Sequence, residues 1–420
     1  MTLRQSHPTP SDTVHVPAPA QTRPHGFAFW AVAFAFLIVM AFATLPSPLY
    51  GLYRTRDHLS EFMVTVVYAI FAAGTITALS SVRFIVPRAG RRGVMLAAVA
   101  TMIVAAGVLA AWKALPGLLL GRLITGVAVG LAAGTAITYL IELRAREDPN
   151  AAAVIRARNI GTAVSVGGLG IGPLIAGCLA EWVSRPLTLP YLVFMALGAI
   201  ALIGVATAPE TGTSPPPGAA ENRTDGARRS VRVLVPGATA TLAAFAANGL
   251  FAGLSGLFLA VTLKHPSHAL SGATLFLVFS SGVAAQLATN RLQASRVFVL
   301  GTISMLLGLA LLVAAVRLST PSLVLFLLGG ALIGAGAGAM FKGTTGLVLD
   351  ATPPESRLAM TSDLLIALYV GISIPVIGAG VALDRGATPP DTVLGFAIFV
   401  GLGVAGAGAL LGRVLRGAQP

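Results

Sequence analysis

Long apolar runs separated by short polar segments dominate the chain from residue 27 onward. An α-helix needs about 20 predominantly apolar residues to cross the hydrocarbon of a bilayer, where its backbone must be hydrogen-bonded internally. The runs have that length, so each predicts one membrane-spanning helix. There are twelve such runs: 27–49, 62–82, 94–112, 118–140, 159–180, 189–208, 234–263, 270–288, 297–316, 323–349, 358–383 and 393–411.

A polar segment divides these runs into two sets of six. Residues 209–233 contain three consecutive prolines and several charges, and they bury too little apolar area to fold alone, so we predict a mobile linker. The predicted fold is an all-α membrane protein with six-helix bundles at 27–208 and 234–411. We expect 1–26 to be a disordered N-terminal segment and 412–420 a short tail.

The two sets also resemble each other in sequence. The stretch 120–126, followed by Gly130, matches 328–334, followed by Gly338, and Glu142 then aligns with Asp350. Internal duplication produces such matches in transporters built from repeats. The sequence therefore predicts two pseudo-symmetric bundles.

Charge is sparse, and it is distributed unevenly. Only 10% of residues are charged, whereas about a quarter are charged in a soluble protein. If successive runs cross the membrane alternately, 19 of the 28 basic residues lie on the side that holds both chain ends. Because basic loops stay in the cytoplasm, we expect both termini there, in a bacterial inner (plasma) membrane.

The net charge of +13 does not indicate a nucleic-acid partner. Nucleic-acid binding needs Lys and Arg gathered on one face or in a basic domain, whereas here they form short clusters between apolar runs. Such clusters contact the anionic headgroups of membrane lipids.

Several kinds of chemistry are excluded by residue usage. Cys178 is the single cysteine, all six histidines lie outside the apolar runs, and no G-x-x-x-x-G-K-[ST] phosphate loop occurs. We therefore expect no metal, no cofactor and no enzymatic activity.

The segment after the second run resembles a known signature. It reads Arg83-Phe84-Ile85-Val86-Pro87-Arg88-Ala89-Gly90-Arg91-Arg92. This is similar to the loop signature G-x-x-x-D-R-x-G-R-R of the major facilitator superfamily. Arg88, Gly90, Arg91 and Arg92 match, whereas Arg83 and Pro87 replace the glycine and the aspartate.

The resemblance implies a gating role for these residues. In the family the basic residues form a charge network with an acid at the end of span 4, here Glu142, and with the start of span 11. We therefore expect an Arg88–Glu142 contact, weakened by the missing aspartate. The alternative is that the arginines only enforce the positive-inside distribution.

Span 5 carries a second resemblance. Gly168, Gly172, Pro173 and Gly177 match the signature G-x-x-x-G-P-x-x-G-G that the family associates with antiporters, with Ala176 in place of one glycine. Small residues allow close helix approach and proline permits bending, which a moving interface between the halves requires. Ordinary tight packing is the alternative.

A buried charge in span 4 is the strongest candidate for function. Arg122 resembles the first residue of the family's R-x-x-Q-G signature, with Thr125 at the glutamine position. An arginine at the centre of a membrane helix costs at least about 2.5–3.5 kcal/mol, so its side chain should face a wet cavity or a partner. It is also close enough to the outer end to extend to the membrane surface instead.

Four further polar residues complete the candidate site. Lys342 in span 10 and Asp363 in span 11 are expected to form an ion pair that opens and closes with the cytoplasmic gate, or else to be interfacial structure. Asn159 and Asn248 are expected to hydrogen-bond across helices or to the solute.

Together these features predict a monomeric secondary transporter that works by alternating access. We expect proton-coupled export of a small drug-like or amphipathic solute, with Asp363 or Glu142 carrying the proton. The alternative is uptake or facilitated diffusion of a nutrient such as a sugar or an organic acid. A membrane receptor or an enzyme without transport is a more remote alternative.

Overall fold

The computed structural model describes residues 25–211, 224–353 and 356–416, and every regular element in these ranges is helical. The expected N-terminal disorder and about half of the predicted linker therefore lie outside the described residues. Twelve of the described helical segments are long and apolar enough to cross a membrane, and we number them as spans 1 to 12. They are Gly26–Asp57, Glu61–Val82, Phe84–Ala111, Leu115–Glu147, Ala151–Trp182, Leu189–Ala206, Val233–Thr262, His268–Ala288, Ala294–Arg317, Leu323–Asp350, Ala359–Asp384 and Pro389–Leu411.

Most helices extend beyond the predicted apolar runs. The helix of span 7 begins at Thr224, inside the predicted linker, and that of span 12 continues to Arg416, inside the predicted tail. Apolar length marks only the part of a helix that can lie in hydrocarbon, and polar turns can continue the helix beyond it. The sequence therefore underestimates the helix lengths.

The two ends of the bundle can be identified by their loops. We call the end where span 6 stops and span 7 begins the linker face, and the opposite end the far face. Span 1 reaches the far face through a break: its helix His25–Thr44 is followed by a 3-10 turn, Ser47–Leu49, and a short helix, Tyr50–Asp57. Pro46 and Pro48 lie at this break because proline lacks the N–H that a continuous helix needs.

Glycines allow equivalent helix contacts in the two halves. A methyl group at Gly126 of span 4 would overlap the Phe71 carbonyl oxygen of span 2. One at Gly334 of span 10 would likewise overlap the Val278 carbonyl of span 8. The glycines that match in sequence therefore occupy matching positions in the packing.

The halves meet along two pairs of helices, span 5 with span 8 and span 2 with span 11. One hydrophobic core runs through both halves. Large apolar side chains such as Ile203, Ile374 and Leu402 are exposed on the outside, where a bilayer would cover them.

Candidate functional site

At the far face, a carboxylate of the first half caps a helix of the second half. Glu181, at the end of span 5, accepts hydrogen bonds from the backbone amides of His268 (2.7 Å) and Ala269 (3.3 Å) at the start of span 8. Ser267 Oγ also lies 3.3 Å from the same carboxylate oxygen. The first amides of a helix have no partner within the helix and carry partial positive charge, so they favour an anion.

The same arrangement occurs on the other side of the far face with the halves exchanged. Asp384, at the end of span 11, accepts a hydrogen bond from the Phe62 amide at the start of span 2, at 3.1 Å. Ser60 and Ser267 are the N-cap residues of spans 2 and 8, and each hydroxyl accepts from the third amide of its helix. The far face is thus held by two equivalent contacts between the halves.

Glycines bring the same helices close together beneath these caps. A methyl group at Gly177, four residues before Glu181, would overlap the His268 carbonyl oxygen, and one at Gly380, four residues before Asp384, would overlap the Thr65 hydroxyl. Both helix pairs are therefore in close contact at the far face.

Toward the linker face, spans 5 and 8 flank a pocket lined by polar and apolar side chains. Its volume is about 220 Å³, and span 10 supplies a third wall. Lining residues come from both halves: Arg158, Asn159, Thr162, Ala163, Val283, Gln286, Leu287, Asn290, Phe341, Lys342 and Thr345. The structure therefore brings the candidates Asn159 and Lys342 together in one cavity.

Lys342 has different partners from the one expected. Its ammonium group donates to the Gln286 carbonyl, to Asn290 Oδ1 at 2.7 Å and to Thr289 Oγ1 at 3.4 Å, all on span 8 or the turn after it. Asp363 is exposed near the start of span 11. The expected Lys342–Asp363 ion pair is not among the ion pairs of the described residues, because the ammonium lies against span 8.

Arg122 is buried and does not extend to the membrane surface. Its side chain is 1% exposed, and its Nη atoms donate to the Ala43 carbonyl at 2.6 Å and the Tyr68 carbonyl at 3.3 Å. The guanidinium carbon also lies 4.6 Å from the centre of the Phe71 ring. Since Ala43 is in the last turn of its helix, its carbonyl is one of the groups a helix end leaves without a partner. Arg122 thus supports the break in span 1.

A row of aromatic rings crosses from the first half to the second beside Arg122. Tyr50, Tyr68, Phe71 and Tyr369 follow one another with ring centroids 6.5, 5.8 and 6.1 Å apart. Asn248 of span 7 is also buried, and its side-chain oxygen has no hydrogen-bond partner among the described residues. The four rings belong to the hydrophobic core that the two halves share.

At the linker face, the basic signature and Glu142 do meet, but through a different arginine. Arg91 Nε lies 2.6 Å from Glu142 Oε2, whereas Arg88 donates to the Phe84 carbonyl one turn back on its own helix. The expected Arg88–Glu142 contact is therefore replaced by Arg91–Glu142. The backbone turn at Gly90, whose φ is +72°, separates the two arginines.

The segment after span 6 is tied to this pair. The Glu210 carboxylate accepts from the amides of Arg91 and Arg92 at 2.8 and 3.1 Å, and Thr211 Oγ1 donates to Glu142 at 2.6 Å. Arg146 donates to the Glu210 and Thr211 carbonyls. These contacts lie within the first half, whereas the resemblance implied a network that extends to span 11.

The glycines of the span 5 signature divide between two interfaces. Methyl groups at Gly168 and Gly172 would contact the backbone of span 1 in the same half, whereas Gly177 faces span 8 of the other half. The Pro173 carbonyl lies against Gly272 of span 8. The signature therefore serves packing within the half as well as contact between halves.

Sequence reasoning missed both far-face caps and the pocket residues Arg158 and Asn290. A usable signal was present: spans 5 and 11 both end in or beside Gly-x-x-x-acid, and a serine directly precedes both span 2 and span 8. The apolar run begins after Arg158, so the sequence places this residue in a loop.

Comparison with known families gives a match over most of the chain. The model described as "Major Facilitator Superfamily" matches residues 32–295. No curated protein sequence matches the chain.

Several solved structures share the fold. A point mutant of the nucleoside transporter NupG is 12% identical with a TM-score of 0.71, covering 91% of this chain and 99% of its own. A bacterial homolog of the human lysosomal transporter Spinster, in an inward-facing and occupied conformation, is 14% identical with a TM-score of 0.69, covering 94% and 98%. A POT family transporter in complex with a thioalcohol-conjugated peptide is 12% identical with a TM-score of 0.72, covering 93% and 96%.

Proposed function

This chain belongs to the Major Facilitator Superfamily and is a transporter rather than an enzyme, and we propose that it moves a small solute by alternating access of its two halves. In this mechanism the halves rock about a central site and open it to one side of the membrane at a time.

One observation carries the proposal: the halves are joined at the far face, and at the linker face a pocket lined by residues of both halves lies between them. Glu181 and Asp384 hold the closed end, and Asn159 and Lys342 line the open one. If both termini are cytoplasmic, as the distribution of basic residues indicates, this is the state open to the cytoplasm.

The far-face contacts have a strength that suits a gate. A carboxylate at an exposed helix N-terminus contributes about 0.3–1 kcal/mol, and both Glu181 and Asp384 are exposed. Contacts of this size favour one state while leaving the other accessible at equilibrium. A solute with a modest preference for either state would then shift the populations.

We further propose that transport is export driven by protons, with Glu142 or Asp363 as the group that binds the proton. The small residues of span 5 at the interface with span 8 support export, through their likeness to the antiporter signature. Glu142 is half-buried and paired with Arg91, so its protonation would break a contact at the linker face.

Uptake or facilitated diffusion is the second candidate. All Asp and Glu residues of the spans lie near the ends of their helices rather than in the middle. Proton coupling usually relies on a carboxylate whose pKa is raised by deep burial. A transporter without such a group can work without an ion gradient.

Transport by purified protein in liposomes tests these proposals. An imposed pH gradient should drive accumulation of at least one solute from a panel of drugs, sugars and organic acids, and a Glu181→Cys/His268→Cys cross-link should stop it reversibly. Glu142→Gln and Asp363→Asn separate the coupling models. If both variants retain full pH-driven transport, neither carboxylate carries the proton.

A further inference from the structure

The linker-side pocket brings two cations together from opposite halves of the protein. Arg158 comes from span 5 and Lys342 from span 10. No Asp or Glu is among the lining residues that the structure describes. We infer that this pocket binds a small anionic solute, a carboxylate or a phosphate compound, through Arg158 and Lys342, which deepens the proposed transport function and rests on it.

The contacts of Lys342 leave its charge uncompensated. The three oxygens that it contacts, on Gln286, Thr289 and Asn290, are neutral. Within the described chain the Arg158 guanidinium takes part in no ion pair. Lys342 is partly buried, and a positive charge partly removed from water is costly without an anion, so an arriving carboxylate or phosphate gains from pairing with it. Arg158 is exposed at the mouth of the pocket and adds a second charge for the same anion.

Neutral hydrogen-bond groups surround the two cations. Asn159, Thr162, Gln286 and Asn290 line the pocket, and their amide and hydroxyl groups can donate to the oxygens of an anion. Thr345 adds a buried hydroxyl that has no partner among the described residues. Arginine supplies a planar fork that matches two carboxylate or phosphate oxygens, and lysine supplies a point charge.

The pocket is small and open on one side. About 220 Å³ is less than the roughly 300–1,000 Å³ of pockets that hold drug-sized ligands. A short organic acid or a small phosphate compound fits this space better than a large drug does.

The position of the cations connects binding to movement. Because Arg158 and Lys342 belong to different halves, an anion that contacts both joins spans 5 and 10 across the open end. Such a ligand binds the closed linker face more tightly than the open one, which is the condition for a solute to shift the equilibrium.

Protection of a cysteine in the pocket tests the inference. The Thr162→Cys variant is made in a Cys178→Ser background and placed in phosphatidylcholine nanodiscs. It is then labelled with an uncharged maleimide at constant ionic strength. Acetate, succinate or inorganic phosphate should slow labelling at least threefold, and glycerol and choline should not. Arg158→Gln and Lys342→Gln should each reduce protection, whereas Arg156→Gln, an exposed arginine on the same helix outside the pocket, should retain it.

Three outcomes overturn the inference: no anion protects, glycerol protects equally, or protection survives in both pocket variants. Protection by added phosphatidylglycerol alone, without any effect of soluble anions, assigns the cations to a lipid headgroup and also overturns it. If the proposed function is wrong, the accessibility of the far face does not change and the protein transports no solute in liposomes. Anions can still slow the labelling of the Thr162→Cys variant in that case, so the two failures are distinguishable.

Discussion

The carboxylate of Glu181 lies 2.7 Å from the backbone nitrogen of His268, and these two residues belong to opposite halves of the protein. Asp384 and Phe62 repeat this relationship at 3.1 Å with the halves exchanged. Each contact joins the end of one helix to the start of another, where the partial charge of the helix end strengthens a hydrogen bond to a carboxylate. The internal repeat thus produces a gate with two matching contacts.

Removing the charge of either cap should open the far face more often. Glu181→Gln and Asp384→Asn should each weaken closure by about 0.3–1 kcal/mol, which corresponds to about a 2- to 5-fold shift in the population. The two sites are on different helix pairs, so their effects should add. The labelling rate of a Thr65→Cys reporter, buried at the far interface, measures the shift.

A matched control for these caps is Glu147→Gln. Glu147 forms an ion pair with Arg144 of the same helix, so its loss removes a carboxylate without touching the far face. Unchanged labelling in both cap variants, or an equal change in the control, would contradict the gate.

Gly177→Ala should impair closure of the far face. The added methyl group overlaps the His268 carbonyl oxygen, and overpacking of this kind costs about 1–3 kcal/mol. Because the contact exists only when the far face is closed, the variant should raise labelling of the Thr65→Cys reporter and reduce transport. Gly167→Ala, whose methyl group meets nothing within 4 Å, is the control on the same helix.

Gly172→Ala should act differently, although it belongs to the same signature. Its methyl group would overlap the Ala41 carbonyl of span 1, within one half. We therefore expect a lower unfolding temperature, measured in detergent, with little change in the ratio of far-face to linker-face labelling. A Gly172→Ala protein with normal stability and altered gating would show that the division between the two interfaces is wrong.

The sequence predicts the fold more completely than it predicts the contacts of the candidate site. Twelve spans follow from apolar length, and the matches of Gly126 with Gly334 and of Gly130 with Gly338 indicate the repeat, because both depend on local sequence. Partners of buried charges depend on contacts distant in sequence. The sequence shows that Arg122 needs a partner but not that this partner is the Ala43 carbonyl, 79 residues away.

The choice between Arg88 and Arg91 illustrates the same limit. Both arginines lie near the start of span 3 and both match the signature, but only the one after the Gly90 turn contacts Glu142. A signature gives the residue types, whereas the direction of a side chain depends on the backbone. Sequence reasoning therefore found Arg91 and Glu142 but mistook the contact, and it missed the part that Glu210 and Thr211 play in the network.

The Arg91–Glu142 pair should show coupling that the Arg88–Glu142 pair lacks. The two side chains are 21% and 29% exposed, so we expect a modest coupling energy of about 0.2–1 kcal/mol in a double-mutant cycle of Arg91→Gln and Glu142→Gln. Unfolding by increasing fractions of dodecyl sulfate measures it. A parallel cycle with Arg88→Gln should give coupling near zero, and the reverse result would restore the Arg88 contact.

Arg122→Lys should destabilise the first half without changing solute selectivity. A lysine replaces the planar guanidinium fork, whose two Nη atoms reach the carbonyls of Ala43 and Tyr68, with a compact ammonium, and it loses the contact with the Phe71 ring. Hydrogen bonds to charged groups contribute about 1.5–3 kcal/mol, so the unfolding midpoint should fall measurably, whereas Arg156→Lys, exposed on span 5, should leave it unchanged. The argument depends on where the guanidinium points: its Nη atoms face the break in span 1 rather than the linker-side pocket. A variant with unchanged stability and altered solute preference would place Arg122 on the solute instead.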